Sequence, residues 1–151
     1  MIPTRTIRDA LVATLEASAL FEKVIPFSEA DLGAALSNIR DSPDSLCVVV
    51  PGEDTFLHTL TEGINEPEFS EIRNRFELLL TARELDQRED GQAGATDLKD
   101  ATCQALLWDD LSIPGLICLP LSSEPVIVEI DEKRGREAWK VTLECRYQVH
   151  G

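Results

Sequence analysis

The amino-acid sequence predicts an α+β fold. We expect one domain over residues 1–151, with a mostly antiparallel sheet of four or five strands, two or three helices packed on one face, and a C-terminal β-hairpin. A length of 151 residues suits one domain with its own core. Residues 124–149 alternate apolar and polar side chains with the period of strands. Two amphipathic segments precede the first apolar run, as expected of helices that pack on a sheet.

The N-terminal third predicts two helices joined by a short extended piece. Pro3 opens the first helix, because proline is favoured at a helix start. Its buried stripe recurs at helical spacing: Ile7, Leu11 and Leu15. Residues 21–27 indicate an extended piece that ends at Pro26. Ser28 is predicted to cap a second helix, which stops at Asp41 before Ser-Pro.

The middle of the chain predicts two strands separated by loops. Residues 46–50 are continuously apolar and are followed by Pro-Gly, which is typical of a short strand buried on both faces. We expect residues 52–72 to form loops with one short element. Residues 76–83 alternate and predict a second strand. A polar loop with two glycines follows over 84–96.

The C-terminal third predicts one helix, one short strand and the hairpin. Asp97 is expected to cap the helix, which should stop at Asp109, since acids are disfavoured at helix C-termini. Residues 116–121 predict a short strand ended by Pro120. The hairpin then turns at 132–136. Its second strand carries apolar residues on one face: Trp139, Val141, Leu143, Cys145 and Tyr147.

The charge of the chain bounds its partners. The formal net charge is −14, from 28 acidic and 14 basic side chains. This argues against binding of nucleic acid through its phosphates, which needs a basic face, although DNA passing close by is compatible with it. Solubility alone also explains such acidity. Residues 41–72 hold eight acids and no Lys or Arg, whereas the hairpin is nearly balanced.

Residues capable of chemistry form no recognisable constellation. The four cysteines include no C-x-x-C pair, so we expect buried thiols in a reducing compartment, with two disulfides as the alternative. His58 and His150 lack partners at metal-ligand spacing. Acidic pairs such as Glu53-Asp54 predict a solvated rim. We therefore expect no catalytic residues, no enzymatic activity, no cofactor and no metal.

Targeting signals are absent from the pattern of the sequence. No secretion signal precedes the first amphipathic segment, and no apolar run reaches the length of a membrane span. We expect a soluble protein made in the cytoplasm that does not partner with a membrane.

Five stretches carry a resemblance in their order and pattern, without any motif of fixed residues: 5–20, 46–50, 76–84, 97–109 and 126–149. Together they resemble the tail-terminator, or tail-completion, proteins of long-tailed bacteriophages and related tail-like particles. The resemblance implies a virion protein of the tail or neck. It implies a six-fold homo-oligomeric ring that caps the tail tube, with the tube and the head-side connector as partners and the sheath as a further candidate.

The resemblance also suggests which surfaces matter. A lumen that DNA crosses favours acidic walls, which repel phosphates. The candidate acidic lumen or contact surface comprises Glu53, Asp54, Glu62, Glu66 and Glu68. The candidate interface in the hairpin comprises Lys133, Arg134, Arg136, Lys140 and Arg146. Three alternatives stay open: another neck or baseplate component, a small cytoplasmic acidic adaptor, or an enzyme of unrecognised type that uses the acidic clusters.

Overall fold

The computed structural model describes residues 1–60, 67–83, 94–131 and 134–150, and it confirms the predicted α+β class. The elements within these ranges are α1 (Thr4–Ser18), β1 (Lys23–Pro26), α2 (Leu32–Asp41), β2 (Leu46–Leu60), β3 (Pro67–Thr81), α3 (Ala95–Leu106), β4 (Ile117–Asp131) and β5 (Arg134–His150). One sheet of five strands has the order β1-β2-β3-β5-β4. Strand β1 pairs with β2 in parallel, and the other pairs are antiparallel. Strands β4 and β5 form the C-terminal hairpin.

Strands β2 and β3 are much longer than predicted, and the expected loops over 52–72 are wrong where the structure describes them. Each strand has 15 residues. The Pro51-Gly52 pair does not end β2 because it lies at a register shift between Pro51 and Asp54. Gly52 suits this bulge, since a Cβ there would lie 3.2 Å from the carbonyl oxygen of Arg75. Residues 61–66 lie outside the described ranges.

Strand β4 is also one continuous element, so the prediction that Pro120 ends a short strand is wrong. A register shift between Pro120 and Ser122 absorbs the proline. The backbone of Cys118 bonds away from β5, to Trp108 and Asp109. Pro120 lies opposite Leu143, two residues from the Cys145 that faces Cys118, so its nitrogen also points away from β5. Proline is tolerated at such a position, because a nitrogen that points away from the neighbouring strand makes no hydrogen bond within the sheet.

Helix boundaries differ from the predictions at two caps. Asp31, and not Ser28, caps α2, and its carboxylate accepts a 3.0 Å hydrogen bond from the backbone N–H of Ala34. Gly94 precedes α3, which places Asp97 in the first turn instead of at the cap. Helix α3 ends at Leu106, before the acidic pair. The chain then turns through Trp108, which has a φ of +66°.

The core has two layers, one on each face of the sheet. We call the face covered by α1 and α3 the first face and the opposite one the second face. On the first face, buried apolar residues pack together: Ile7, Leu11, Leu15, Leu98, Leu106, Phe76, Val141 and Leu143. On the second face, α2 packs against the sheet through Ala35, Ile39, Leu46, Val48, Leu79 and Ala138. The prediction that residues 46–50 are buried on both faces is confirmed, because neighbouring residues of this run enter different layers.

The two ends of the described chain meet on the first face. The phenol oxygen of Tyr147 accepts a 3.1 Å hydrogen bond from the backbone N–H of Ile2 and donates one of 3.3 Å to its carbonyl oxygen. Tyr147 is buried near the end of β5. The start of α1 is therefore held against the last strand.

Candidate functional site: the open half of the second face

The second face of the sheet extends well beyond α2, and this uncovered half is the candidate site. Helix α2 has 10 residues and covers only the end of the face near the β4–β5 turn. Direct cross-strand pairing places the remaining second-face side chains of β3, β5 and the start of β4 side by side. We call this surface the open face, and it comprises Glu71, Arg73, Arg75, Glu144, Arg146, Ile117 and Leu119.

Glu144 lies at the centre of the open face and is only 1% exposed. Arg75 contacts it with an Nε to carboxylate oxygen distance of 3.3 Å, and Arg73 approaches to 4.0 Å. Arg146, on the same strand, forms a close ion pair with the other oxygen. A buried carboxylate is costly unless cations and hydrogen bonds satisfy it. Glu144 therefore orders three guanidinium groups on one surface.

The arginines of the open face remain available to a partner. Arg75 is 44% exposed at its side chain, and Arg73 and Arg146 are about one-third exposed. Arg73 also forms a 2.8 Å ion pair with Glu71. Three arginines meet Glu71 and Glu144 in this cluster, and the half-buried Glu77 is the next second-face residue of β3, on a chain whose net charge is −14. The open face is thus a local concentration of arginines on a strongly acidic protein.

An apolar rim borders the arginines. Trp108 is 66% exposed, and Ile117 is more than one-third exposed. The N–H of Trp108 donates to the carbonyl oxygen of Cys118, which fixes the segment after α3 along the edge of β4. A shallow pocket of about 510 Å³ separates the rim from the arginines, and its lining includes Trp108, Ile117, Leu119, Arg146 and Gln148. Exposed Trp and Arg beside aliphatic side chains are typical of protein interfaces.

Of the five predicted interface residues, Arg146 and Lys140 have partly exposed side chains on the second face. Arg146 belongs to the open face itself. Lys140 lies six residues before Arg146 on the same face of β5. It forms a 2.7 Å ion pair with Glu124, and this bond raises the pKa of the lysine. Lys133 and the side chain of Arg134 lie outside the part of the chain that the structure describes.

The prediction that Arg136 belongs to an interface is wrong, because this side chain is 4% exposed. Its guanidinium donates to the carbonyl oxygens of three segments, with distances of 2.8 Å to Ile39, 2.7 Å to Asp44 and 2.7 Å to Ala82. The carbonyl groups in the last turn of a helix lack partners within the helix. Arg136 lies beneath the last turn of α2 and donates hydrogen bonds to these carbonyl groups, so it holds α2 against the sheet.

The predicted acidic surface is not brought together on the open face. Glu53 is exposed at the bulge of β2. Asp54 is half-buried and accepts a 2.8 Å hydrogen bond from the Nδ2 of Asn74, its partner on the first face. Glu62, Glu66 and the side chain of Glu68 lie outside the description. Sequence reasoning missed Arg73, Arg75 and Glu144, although the alternation of β5 did place Glu144 on the charged face.

His150 lines the pocket of the open face, whereas His58 and the cysteines lie apart from it. His58 shares a 2.7 Å hydrogen bond with the hydroxyl of Ser70, its cross-strand partner. Cys118 and Cys145 face each other with 3.6 Å between their sulfurs, and all four cysteines are free thiols. Within the described ranges, no three His, Cys, Asp or Glu side chains are grouped so that they could hold a metal ion. No helix in those ranges is both long and apolar enough to cross a membrane.

Comparisons with known proteins assign no family. No family model matches the chain, and no curated protein matches it. The resemblance to tail-terminator proteins therefore stays a prediction from the sequence.

Proposed function

We propose that this protein is a structural subunit that assembles head to tail into a closed ring and acts as a bacteriophage tail terminator. In this role the ring caps the tail tube and joins it to the head-side connector in the virion. The observation that carries the proposal is the open face. Half of one sheet face carries ordered arginines and an exposed aromatic rim where a covering layer would normally pack.

The composition of the open face supports protein binding. Interfaces are enriched in Arg and Trp, and both line the same shallow pocket here. Glu144 holds the arginines in place through ion pairs within the chain, so less side-chain freedom is lost when a partner binds. A preorganised surface of this kind suits a permanent contact between subunits.

The charge of the whole chain supports a channel for DNA. A ring built from copies that each carry −14 repels phosphate groups. DNA would then cross the lumen without adhering to it. Head-to-tail contacts close into a ring when the rotation between neighbours divides a full turn.

A second function is favoured by the same surface. An open face with partly exposed arginines on an acidic protein also fits an adaptor that binds an acidic protein other than itself. The two functions differ in one measurable respect, since an adaptor has no need to form rings.

The direct test is imaging. Negative-stain electron microscopy and mass photometry of the concentrated protein should show closed rings of six copies. In a phage that carries the gene, its deletion should leave heads and tails unjoined and tails of abnormal length. Normal joined particles after deletion would refute the terminator role. A chain that stays monomeric at every concentration, while binding an unrelated acidic protein, would support the adaptor.

A further inference from the structure

A second exposed patch lies on the opposite face of the sheet from the open face. Ile127 of β4 is 76% exposed and lies directly opposite Glu137 of β5. Glu129, also exposed, is two residues further along the same strand. These residues share the first face with Trp139, which packs against the core below them. We call Ile127, Glu129 and Glu137 the hairpin patch.

Local contacts fix the position of the hairpin patch. The hydroxyl of Thr96 donates to the carboxylate of Glu137 at 3.4 Å, which ties this side chain to the start of α3. Gly135, opposite Glu129, has no space for a side chain, since a Cβ would lie 2.7 Å from the Cγ2 of Ile127. The patch therefore has an aliphatic centre between two carboxylates.

The open face and the hairpin patch are complementary. The open face presents arginines beside Ile117, and the hairpin patch presents carboxylates beside Ile127. These two isoleucines lie at opposite ends of β4, about 30 Å apart along the strand, and on opposite faces of the sheet. One molecule cannot bring its own two patches together. A second copy can, and such a contact is head to tail.

We propose that the open face of one copy binds the hairpin patch of the next copy. Glu129 and Glu137 then face the arginines, chiefly Arg75 and Arg146, while Ile127 packs beside Ile117. This inference rests on the proposed ring, because it names the contact that builds it. Each copy presents arginines on its open face and carboxylates on its hairpin patch, so the same contact repeats around the ring.

The outer edge of β4 argues against the main alternative, which is strand pairing between copies. The outward backbone groups of Cys118 are already bonded to Trp108 and Asp109. Pro120 and Pro125 face Leu143 and Trp139 at positions where their nitrogens point outward, and they offer no donor to another strand. Edge prolines of this kind block strand addition. Strand addition is thus blocked at the β4 edge, which borders both patches.

Charge reversal tests the contact. Glu129→Lys with Glu137→Lys reverses the hairpin patch, and Arg75→Glu with Arg146→Glu reverses the open face. Each double variant should self-associate at least about tenfold more weakly than the wild type, because like charges then meet. An equimolar mixture of the two should recover association, since each reversed surface finds its complement. Glu16→Lys with Glu29→Lys changes two exposed acids elsewhere and should leave association unchanged.

A cross-link guards against misfolding of the arginine variant, whose changes adjoin the buried Glu144. A photoreactive benzoylphenylalanine in place of Ile127 should cross-link to the neighbour's open face, with products mapped to the residues around Ile117 by mass spectrometry. Rings that form equally well in both charge-reversed variants, or cross-links elsewhere, would refute this contact and leave the proposed ring intact. A wild-type chain that forms no ring on tail tubes would refute the proposed function and this inference together.

Discussion

Arg136 and Arg146 lie ten residues apart on the same face of β5, and they serve different purposes. Arg136 is buried beneath α2 and donates to backbone carbonyl groups of three segments. Arg146 lies beyond the reach of α2 and is held half-exposed by Glu144. Both side chains lie on the same face of the strand because they are an even number of residues apart. Only Arg136 is covered by a helix, which makes it structural and leaves Arg146 accessible to a partner.

The largest expected effect on stability comes from Arg136→Ala. The change leaves the carbonyl groups of Ile39, Asp44 and Ala82 without their donor, and we expect a loss of about 3 kcal/mol or more in the free energy of unfolding. Urea denaturation measures it. Arg146→Ala is the matched control and should cost about 0.5 kcal/mol. Equal losses for the two variants would contradict the distinction between them.

Removing the central carboxylate tests how the open face is ordered. Glu144→Ala eliminates the shared partner of three arginines, and we expect a loss of about 2 kcal/mol in stability, since the cations retain access to water. Glu71→Ala, at the border of the same cluster, should cost no more than about 0.5 kcal/mol. Thermal unfolding of both variants compares them. A Glu144→Ala variant as stable as the wild type would show that the arginines need no buried anchor.

The apolar rim should affect association without affecting the fold. Ile117→Ser removes an exposed aliphatic side chain of the proposed contact and should weaken self-association about tenfold. Its effect on monomer stability should stay within about 0.5 kcal/mol. Leu32→Ser, a residue of similar exposure at the start of α2, serves as the control and should change neither property. Sedimentation velocity reports the difference, and equal behaviour of the two variants would remove Ile117 from the contact.

The smallest expected effect concerns Lys140, between the two arginines. Its hydrogen bond to Glu124 raises its pKa above the ordinary value of 10.5. A lysine with a higher pKa when folded stabilises the protein below its unfolded pKa and loses that contribution as pH rises through its folded pKa. Lys140→Met should therefore cost a few tenths of a kcal/mol, roughly, at neutral pH and nothing above the folded pKa. Chemical denaturation across alkaline pH checks this, and a pH-independent difference would rule out the ion pair as its cause.

Local patterns in the sequence were enough to predict the class of fold. The helical spacing of Ile7 and Leu11 predicted α1, and the alternation around Val141 and Leu143 predicted the buried face of β5. Both signals are short in range, because they depend only on neighbouring residues and on which side faces the core.

Long-range context explains what the sequence did not show. Pro51-Gly52 and Pro120 are strong stop signals, yet the strands pass through them because one bulge and one edge position accept them. The burial of Arg136 depends on α2, which lies almost 100 residues earlier in the chain. Likewise, the open face needs β3 to bring Arg73 and Arg75 beside Glu144, a pairing that spans 69 residues for Arg75.

The hydrogen bonds between Tyr147 and Ile2 have a consequence for how the molecule comes apart. They join the first residues of the chain to its last strand, across 145 positions of sequence. Opening of either end releases the other, so both should belong to one cooperative unit in native-state hydrogen exchange. Tyr147 also lines the pocket of the open face. Because Arg146 and Gln148, the two neighbours of Tyr147, line the same pocket, loosening at the amino terminus would reach the open face through the backbone of β5.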